Sequence, residues 1–278
     1  KRKLKVKWLA DFRDPWTNID FYGELHLSRL ADYIHHKLER KVISNADVVT
    51  VVSNQIKNDF GLIGKGKIEV ITNGFDDDDW LDSRSTQQDS NFSIVYAGTL
   101  TATRNPIVLW PVLRQLCTEL PEFSNKLKIK IAGQVDAAVL KSIEDSKLID
   151  HCILLGQLSH KDVIKLQLEA QVLLLVVNNT PNARGIVTGK FFEYLAAGRR
   201  IITVGPSNGD LAEMLELTGA GDVVDFDDFG KAKQVITKYF QLYIDGKINP
   251  DKKSVSQFSR KELTCKLAEI LDEVKNEK

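Results

Sequence analysis

The chain has 278 residues, 43% of them hydrophobic and 27% charged, proportions that suit a soluble globular protein with apolar mass for two domains. Its 38 basic and 38 acidic residues cancel, which argues against a long nucleic-acid footprint, since neutralising phosphates needs a basic surplus. Cys117, Cys152 and Cys265 are scattered and odd in number, so no disulfide framework is indicated, and the longest apolar run, 172–177, is far too short to span a bilayer.

No secretory leader is visible, the first residue is not Met, and a strand pattern begins almost at once. The expectation is a fragment that lacks upstream sequence. Residues 3–12 read as a strand, with Val6, Trp8 and Ala10 alternating against Lys5 and Lys7. After an Asp-Pro-Trp loop, Ser28 caps a helix that runs to about Ser44, with Leu30, Ile34, Leu38, Val42 and Ile43 on one face. A buried strand at 47–52, a short helix capped by Ser53 and a strand at 67–71 follow, and Asn73-Gly74 reads as a turn. The acidic run 76–79 and the polar stretch 83–91 read as an interdomain linker.

From there the pattern restarts as a regular βα series. Strands are expected at 93–97, 127–132, 152–155, 172–177, 201–204 and 222–224, and helices near 106–119, 137–147, 161–169, 189–197, 209–217 and 231–243. A last helix, 260–274, carries Leu263, Leu267, Ile270 and Leu271 along one side. The fold class is α/β, with two Rossmann-like domains built on parallel sheets. Residues 1–90 form an incomplete first domain with its linker, 91–250 a whole second domain, and 251–278 a C-terminal helix.

The segment from Thr188 to Gly198 is the most informative. It follows the apolar strand and a polar loop, 178–184, so its helix opens at the carboxyl end of a strand, where open α/β sheets bind anions. Lys190 in the first turn can face a phosphate. Glu193, one turn on, can accept hydrogen bonds from a sugar diol, and the pair suits a nucleotide-sugar. The competing reading is an amphipathic helix that packs Phe191, Tyr194 and Leu195 on a sheet and leaves Lys190 and Glu193 solvated. Two more constellations sit at strand ends. Gly98 allows a tight turn after the strand at 93–97, and Arg104 precedes a helix start, making a diphosphate cradle or an ordinary βα turn. Gly156, Gln157 and Leu158 end another strand before Ser159, a helix cap.

In order and spacing these segments resemble the retaining GT-B glycosyltransferases of family 4, over about residues 6–275. The first domain joins the resemblance through the stretch Trp8–Trp16, then 37–40, 46–53 and 70–76. It implies a GT-B fold and transfer of a sugar from a nucleotide-diphosphate sugar, with retention of configuration, to a glycan or lipid-linked acceptor. Thr99 stands where the family has Arg, and Arg104 where it has Lys, so one diphosphate cation is kept and Lys190 partly supplies the other. Gly156, Gln157 and Leu158 fall at the base-binding loop, and Glu193 at the ribose-binding Glu. The family's first Glu position holds Gly185, so backbone N–H groups from Gly185 through Ile186 and Val187 to Thr188 are expected to take over part of sugar recognition, while the helix N-terminus at Gly189 joins Arg104 and Lys190 at the diphosphate. Arg13-Asp14 replaces a His-Asp pair, and Arg13 either faces the cleft or braces its loop against Asp14.

No metal is expected, because GT-B enzymes as a class do not require one, and the Asp-x-Asp at 76–79 lies on the linker. Gly61 to Gly66 lacks the Lys-Ser/Thr of a P-loop, and His35-His36 lacks further ligands at metal spacing. The basic start, Lys1 to Lys7, reads as a solvated strand edge, and peripheral membrane association stays open. The expected location is cytoplasmic, with the inner membrane face open in the same way. Two other readings stand beside the transferase: a non-catalytic GT-B-fold nucleotide-binding partner subunit, and a nucleotide-sugar epimerase.

Overall fold

The computed structural model describes residues 6–80, 86–250 and 255–276. The first sheet is parallel, with strands β1 (Leu9–Phe12), β2 (Val48–Val51) and β3 (Lys67–Val70) in that spatial order. Helices α1 (Arg29–Asn45) and α2 (Asn54–Ile63) connect them. Ser28 and Ser53 cap these helices by accepting from the amides of Ala31 (3.2 Å) and Ile56 (3.3 Å). Every residue of β2 is buried, as expected of the middle strand of a covered parallel sheet.

The second sheet has six parallel strands: β4 (Phe92–Ala97), β5 (Leu127–Ala132), β6 (Cys152–Gly156), β7 (Val172–Val176), β8 (Arg200–Val204) and β9 (Gly221–Val224). Their spatial order is β6-β5-β4-β7-β8-β9. The chain builds outward from β4 in one direction, then restarts beside it at β7 and builds outward in the other. The loops leaving β4 and β7 therefore diverge, and a crevice opens at their carboxyl ends. Around the sheet pack α3 (Leu109–Glu119), α4 (Pro121–Lys126), α5 (Ala137–Asp145), α6 (His160–Glu169), α7 (Gly189–Ala197), α8 (Asp210–Thr218) and α9 (Phe229–Ile244). One core holds Trp110, Phe123 and Tyr239; the other holds Phe191, Phe192 and Tyr194.

The backbone crosses between the sheets twice, and the crossings pair. Phe75 N donates to Phe258 O (3.1 Å) and Arg260 N donates to Phe75 O (2.8 Å). Helix α10 (Arg260–Asn276) then returns to the first sheet, where Ile270 and Val274 close on Val48 and Ile71.

Several expectations change. The first strand starts at Leu9, not residue 3, because pairing with β2 begins there; Lys1 to Lys5 lie outside the described residues. On α1, Ile43 is fully buried, but Leu30, Ile34 and Leu38 are 68%, 42% and 40% exposed. The buried polar residue of that helix is Glu39, whose carboxylate accepts from the amides of Trp16 (3.1 Å) and Thr17 (3.0 Å) and from the Thr17 hydroxyl. Asn73-Gly74 is not a turn but part of the first crossing. A β-carbon on Gly74 would lie 2.4 Å from Phe258 O, so the glycine serves close approach of two backbones. The polar stretch after the acidic run is not a free linker where it is described. Asp89 pairs with Lys130 (2.8 Å), and Gln88 donates to Ala170 O (3.2 Å); residues 83–85 lie outside the described residues. The helix expected from residue 106 starts at Leu109, and α4 was not anticipated; Pro121 restarts the helix at once after Leu120.

Candidate active site

Glycine ends or directly follows four strands of the second sheet, at Gly98, Gly133, Gly156 and Gly205, and the first two approach each other at the carboxyl ends of β4 and β5. Gly98 (φ 126°) and Gly133 (φ 122°) follow β4 and β5 in backbone that L residues rarely adopt. A β-carbon on Gly133 would lie 2.2 Å from Gly98 O, and one on Gly98 would lie 2.4 Å from Lys190 Nζ. The two backbones pack with no side chain between them, and the Lys190 ammonium lies against Gly98; Lys190, Tyr96, Gly98 and Gly133 line neither of the two clefts described below.

Lys190 comes from the first turn of α7, which follows β7. Its Nζ donates to the Tyr96 hydroxyl (3.0 Å) and sits 4.4 Å from the centre of the Tyr96 ring. The Tyr96 hydroxyl in turn donates to Thr99 O (2.9 Å). Burial pushes the Tyr96 phenol up to about 12, with Arg104 pulling the other way. Burial also pushes the Lys190 ammonium down from 10.5 to about 8; the nearby Arg104 adds to that, and Glu193 opposes it. Two cations are held near each other around one phenol, and one of them loses protons easily because it is buried and Glu193 offsets only part of that.

Arg104 ends a 3₁₀ turn, Ala102–Arg104, and its Nε donates to Asn178 Oδ1 (2.7 Å) at the exit of β7. Arg104, Asn178, Gly185, Ile186, Val187, Thr188 and Gly189 line a cleft of ≈ 770 Å³ between the two sheets. Arg13, Asp14, Asn18, Asp20 and Asp59 form the opposite wall. A second cleft of ≈ 370 Å³ holds Glu193 and Arg260 and meets the first at Gly189, Arg13 and Asn73. The N-terminus of α7 therefore faces the junction of both. Thr188 precedes it without capping it, and its buried hydroxyl oxygen has no partner among the described residues.

The remaining expected residues fall in place unevenly. Glu193 accepts from Gln167 Nε2 (3.3 Å), a glutamine 1% exposed. Gly185 is buried against α2, where a β-carbon would meet the Gln55 side chain at 3.3 Å, so a side chain there requires Gln55 to give by a few tenths of an ångström. The amides of Gly185 and Ile186 already donate to Asn182 O (3.0 Å) and Ala183 O (3.2 Å), which leaves Val187 and Thr188 as the freer donors of that run. Arg13 lines both clefts, yet it is braced, not by Asp14 but by Asp11 (2.8 Å) and the carbonyls of Ile71 and Thr72 (3.3 Å each). Thr99 contributes its carbonyl, not its side chain. Gly156 (φ 64°) and Gln157 are exposed, Leu158 packs on the core beneath α7, and none of the three lines either cleft.

Sequence reasoning passed over Tyr96, Asn178 and Asp20. Asn178 was legible only as the first polar residue after an apolar strand, and Tyr96 looked like strand core. Asp20 carries no local signal. At the acidic run, Asp76 pairs with Arg260 (3.3 Å) and Asp79 with His160 (3.1 Å). Among the described residues there is no group of three His, Cys, Asp or Glu placed to hold a metal ion, and no helix is long and apolar enough to cross a membrane.

No protein-family model matches the chain, and no curated protein matches it in sequence. Solved structures do. The sucrose-phosphate synthase of Thermosynechococcus elongatus superposes with TM-score 0.69 at 14% identity, covering 98% of this chain and 69% of that one. Anabaena HepE, solved with UDP-glucose, gives 0.68 at 14% identity, covering 97% and 73%. WaaG, a glycosyltransferase involved in lipopolysaccharide biosynthesis, gives 0.63 at 13% identity, covering 92% and 74%. The chain has the GT-B fold. At such identities the likeness shows architecture alone. In this GT-B chain the first sheet, with three strands, is the smaller, and the crevice at β4 and β7 opens toward it.

Proposed function

We propose that this protein transfers a sugar from a nucleotide-diphosphate sugar to a glycan or lipid-linked acceptor, with retention of configuration. The observation that carries the reading is the convergence of Lys190 and Arg104 on Tyr96 at the start of α7, two neighbouring cations of which the buried lysine is depressed. Such a site stabilises a leaving diphosphate, which is the main electrostatic demand of the reaction. Glu193 would hold the ribose hydroxyls, the base would lie toward the loop at Gly156, Gln157 and Leu158, outside both clefts, and the acceptor would enter along the wall from Asp11 to Trp16. The UDP-glucose bound to HepE and the part played by WaaG in lipopolysaccharide biosynthesis support both classes of substrate. A cytoplasmic location belongs to the same proposal, as does the absence of a metal requirement.

Calorimetric binding of UDP, GDP and ADP tests the donor site, with Glu193→Ala as control. One diphosphate bound at micromolar affinity, and lost in the variant, supports the reading and names the base. Lys190→Ala and Arg104→Ala are expected to weaken diphosphate binding more than nucleoside binding; equal loss of both would remove their assigned role.

The non-catalytic reading is favoured by two observations: glycine, not an acid, at position 185 in a tight spot against Gln55, and the bracing of Arg13 by Asp11. It predicts nucleotide binding without donor hydrolysis or transfer.

A further inference from the structure

The guanidinium that faces the crevice is oriented from the opposite wall. Arg104 Nε donates to Asn178 Oδ1 (2.7 Å), and Asn178 Nδ2 donates to a carboxylate oxygen of Asp20, which lies between β1 and α1 on the first-sheet side. The order of the amide is set at both ends. A rotated Asn178 would place its NH₂ against the guanidinium and its oxygen against the carboxylate, so each partner rejects it. A second bond ties the same loops together, Asn182 Nδ2 to Asn18 O (2.8 Å). With Nε engaged, Arg104 is left with its two Nη groups to offer an anion in the cleft.

We infer that Asp20 and Asn178 are positioning residues for Arg104, and that the diphosphate-gripping pose of Arg104 is complete only when the Asp20 loop stands across the crevice. This rests on the proposed donor site and adds a role that the second-sheet loops cannot supply alone. A charged hydrogen bond is passed from wall to wall through one amide, so separation of the walls releases the arginine. A long side chain freed in this way regains rotamer entropy and holds a diphosphate less well.

The test is calorimetry on the full chain with UDP, GDP and ADP, the matching nucleosides serving as reference. Asn178→Ala and Asp20→Ala are expected to weaken binding of the preferred diphosphate roughly tenfold, the range for a lost hydrogen bond to a charged group, while nucleoside affinity stays unchanged. Asp20→Asn keeps an oxygen that accepts from Asn178 and should restore affinity to within about twofold of the wild type, since the acceptor rather than the full charge sets the amide. Thermal unfolding of each variant shows that it is folded.

Three results overturn the inference. In the first, Asp20→Ala binds diphosphate as the wild type does while Arg104→Ala does not; the donor site then stands and the cross-cleft role falls. In the second, nucleoside and diphosphate weaken equally in Asp20→Ala, which marks a merely structural contact. In the third, the wild type binds no nucleoside diphosphate, and both readings fail together.

Discussion

Lys190 lies against Gly98 at the carboxyl end of β4: a β-carbon on Gly98 would stand 2.4 Å from Lys190 Nζ and 2.7 Å from its Cε. The missing side chain on β4's exit is the space in which the ammonium lies. Gly98→Ala displaces the flexible end of Lys190 and also forces alanine into φ 126°. The strained backbone should cost about 1–3 kcal/mol of stability, read by urea unfolding. The displaced ammonium should lower diphosphate affinity about tenfold, read by calorimetry. Wild-type affinity in a folded Gly98→Ala protein would show that the pose is dispensable.

The Lys190 ammonium gives the site a pH dependence with a definite sign. Its folded pKa, about 8, lies below its ordinary 10.5, chiefly through burial and secondly through Arg104. The unfolded chain therefore binds more protons between those values, and this group makes stability rise as pH climbs from about 8 to 10.5. Diphosphate affinity runs the other way and falls above pH 8 as the ammonium is lost. Lys190→Met should flatten both dependences and raise stability near pH 7 by roughly 1–3 kcal/mol, because the buried charge is gone. Parallel stability and binding titrations from pH 6 to pH 10 check the two signs.

Gly74 holds the paired crossings together by having no side chain. Alanine there would put a carbon 2.4 Å from Phe258 O and 2.6 Å from Leu263 Cδ1, and the backbone oxygen cannot swing aside. Gly74→Ala should destabilise by about 1–3 kcal/mol, the usual cost of overpacking. It should also loosen α10, seen as faster amide exchange at Ile270 and Val274. Unchanged exchange there would show that α10 is held independently of the crossing.

The Asp-Pro-Trp loop stands on a buried carboxylate. Glu39 is 1% exposed and receives the amides of Trp16 and Thr17 together with the Thr17 hydroxyl. Glu39→Ala leaves these donors without their acceptor and should cost about 2–4 kcal/mol. Hydrogen exchange at Thr17 should rise more than exchange in β5, which lies in the other sheet. A uniform rise would point to global destabilisation instead.

Much of this fold was readable in advance because βα units advertise themselves locally. The run 172–177 is a continuous apolar strand in a sheet covered on both faces, Ser28, Ser53 and Ser159 cap helices, and Lys190 lies one turn from Glu193 on α7. What misled was also local. The apolar residues Leu30, Ile34 and Leu38 repeat at helical spacing, yet they are exposed on α1, since periodicity describes a stripe and not what covers it. Gly74 looked like a turn because Asn-Gly usually is one; its real constraint is a carbonyl 184 residues further on, at Phe258.

The sequence by itself determined the α/β class, the two parallel sheets, and the residues that bring charge to strand ends, Arg104, Lys190 and Glu193. Each depends on short-range patterns of apolarity, capping and spacing. Only the tertiary structure decided which of those residues meet. Strand order placed β4 beside β7, and so brought Tyr96, Arg104, Asn178 and Lys190 together, while the paired crossings at Phe75 and Phe258 set Asp20 against Asn178. Contacts between residues as distant as Asp20 and Asn178 depend on sheet order and loop packing, and no local pattern in the chain encodes them.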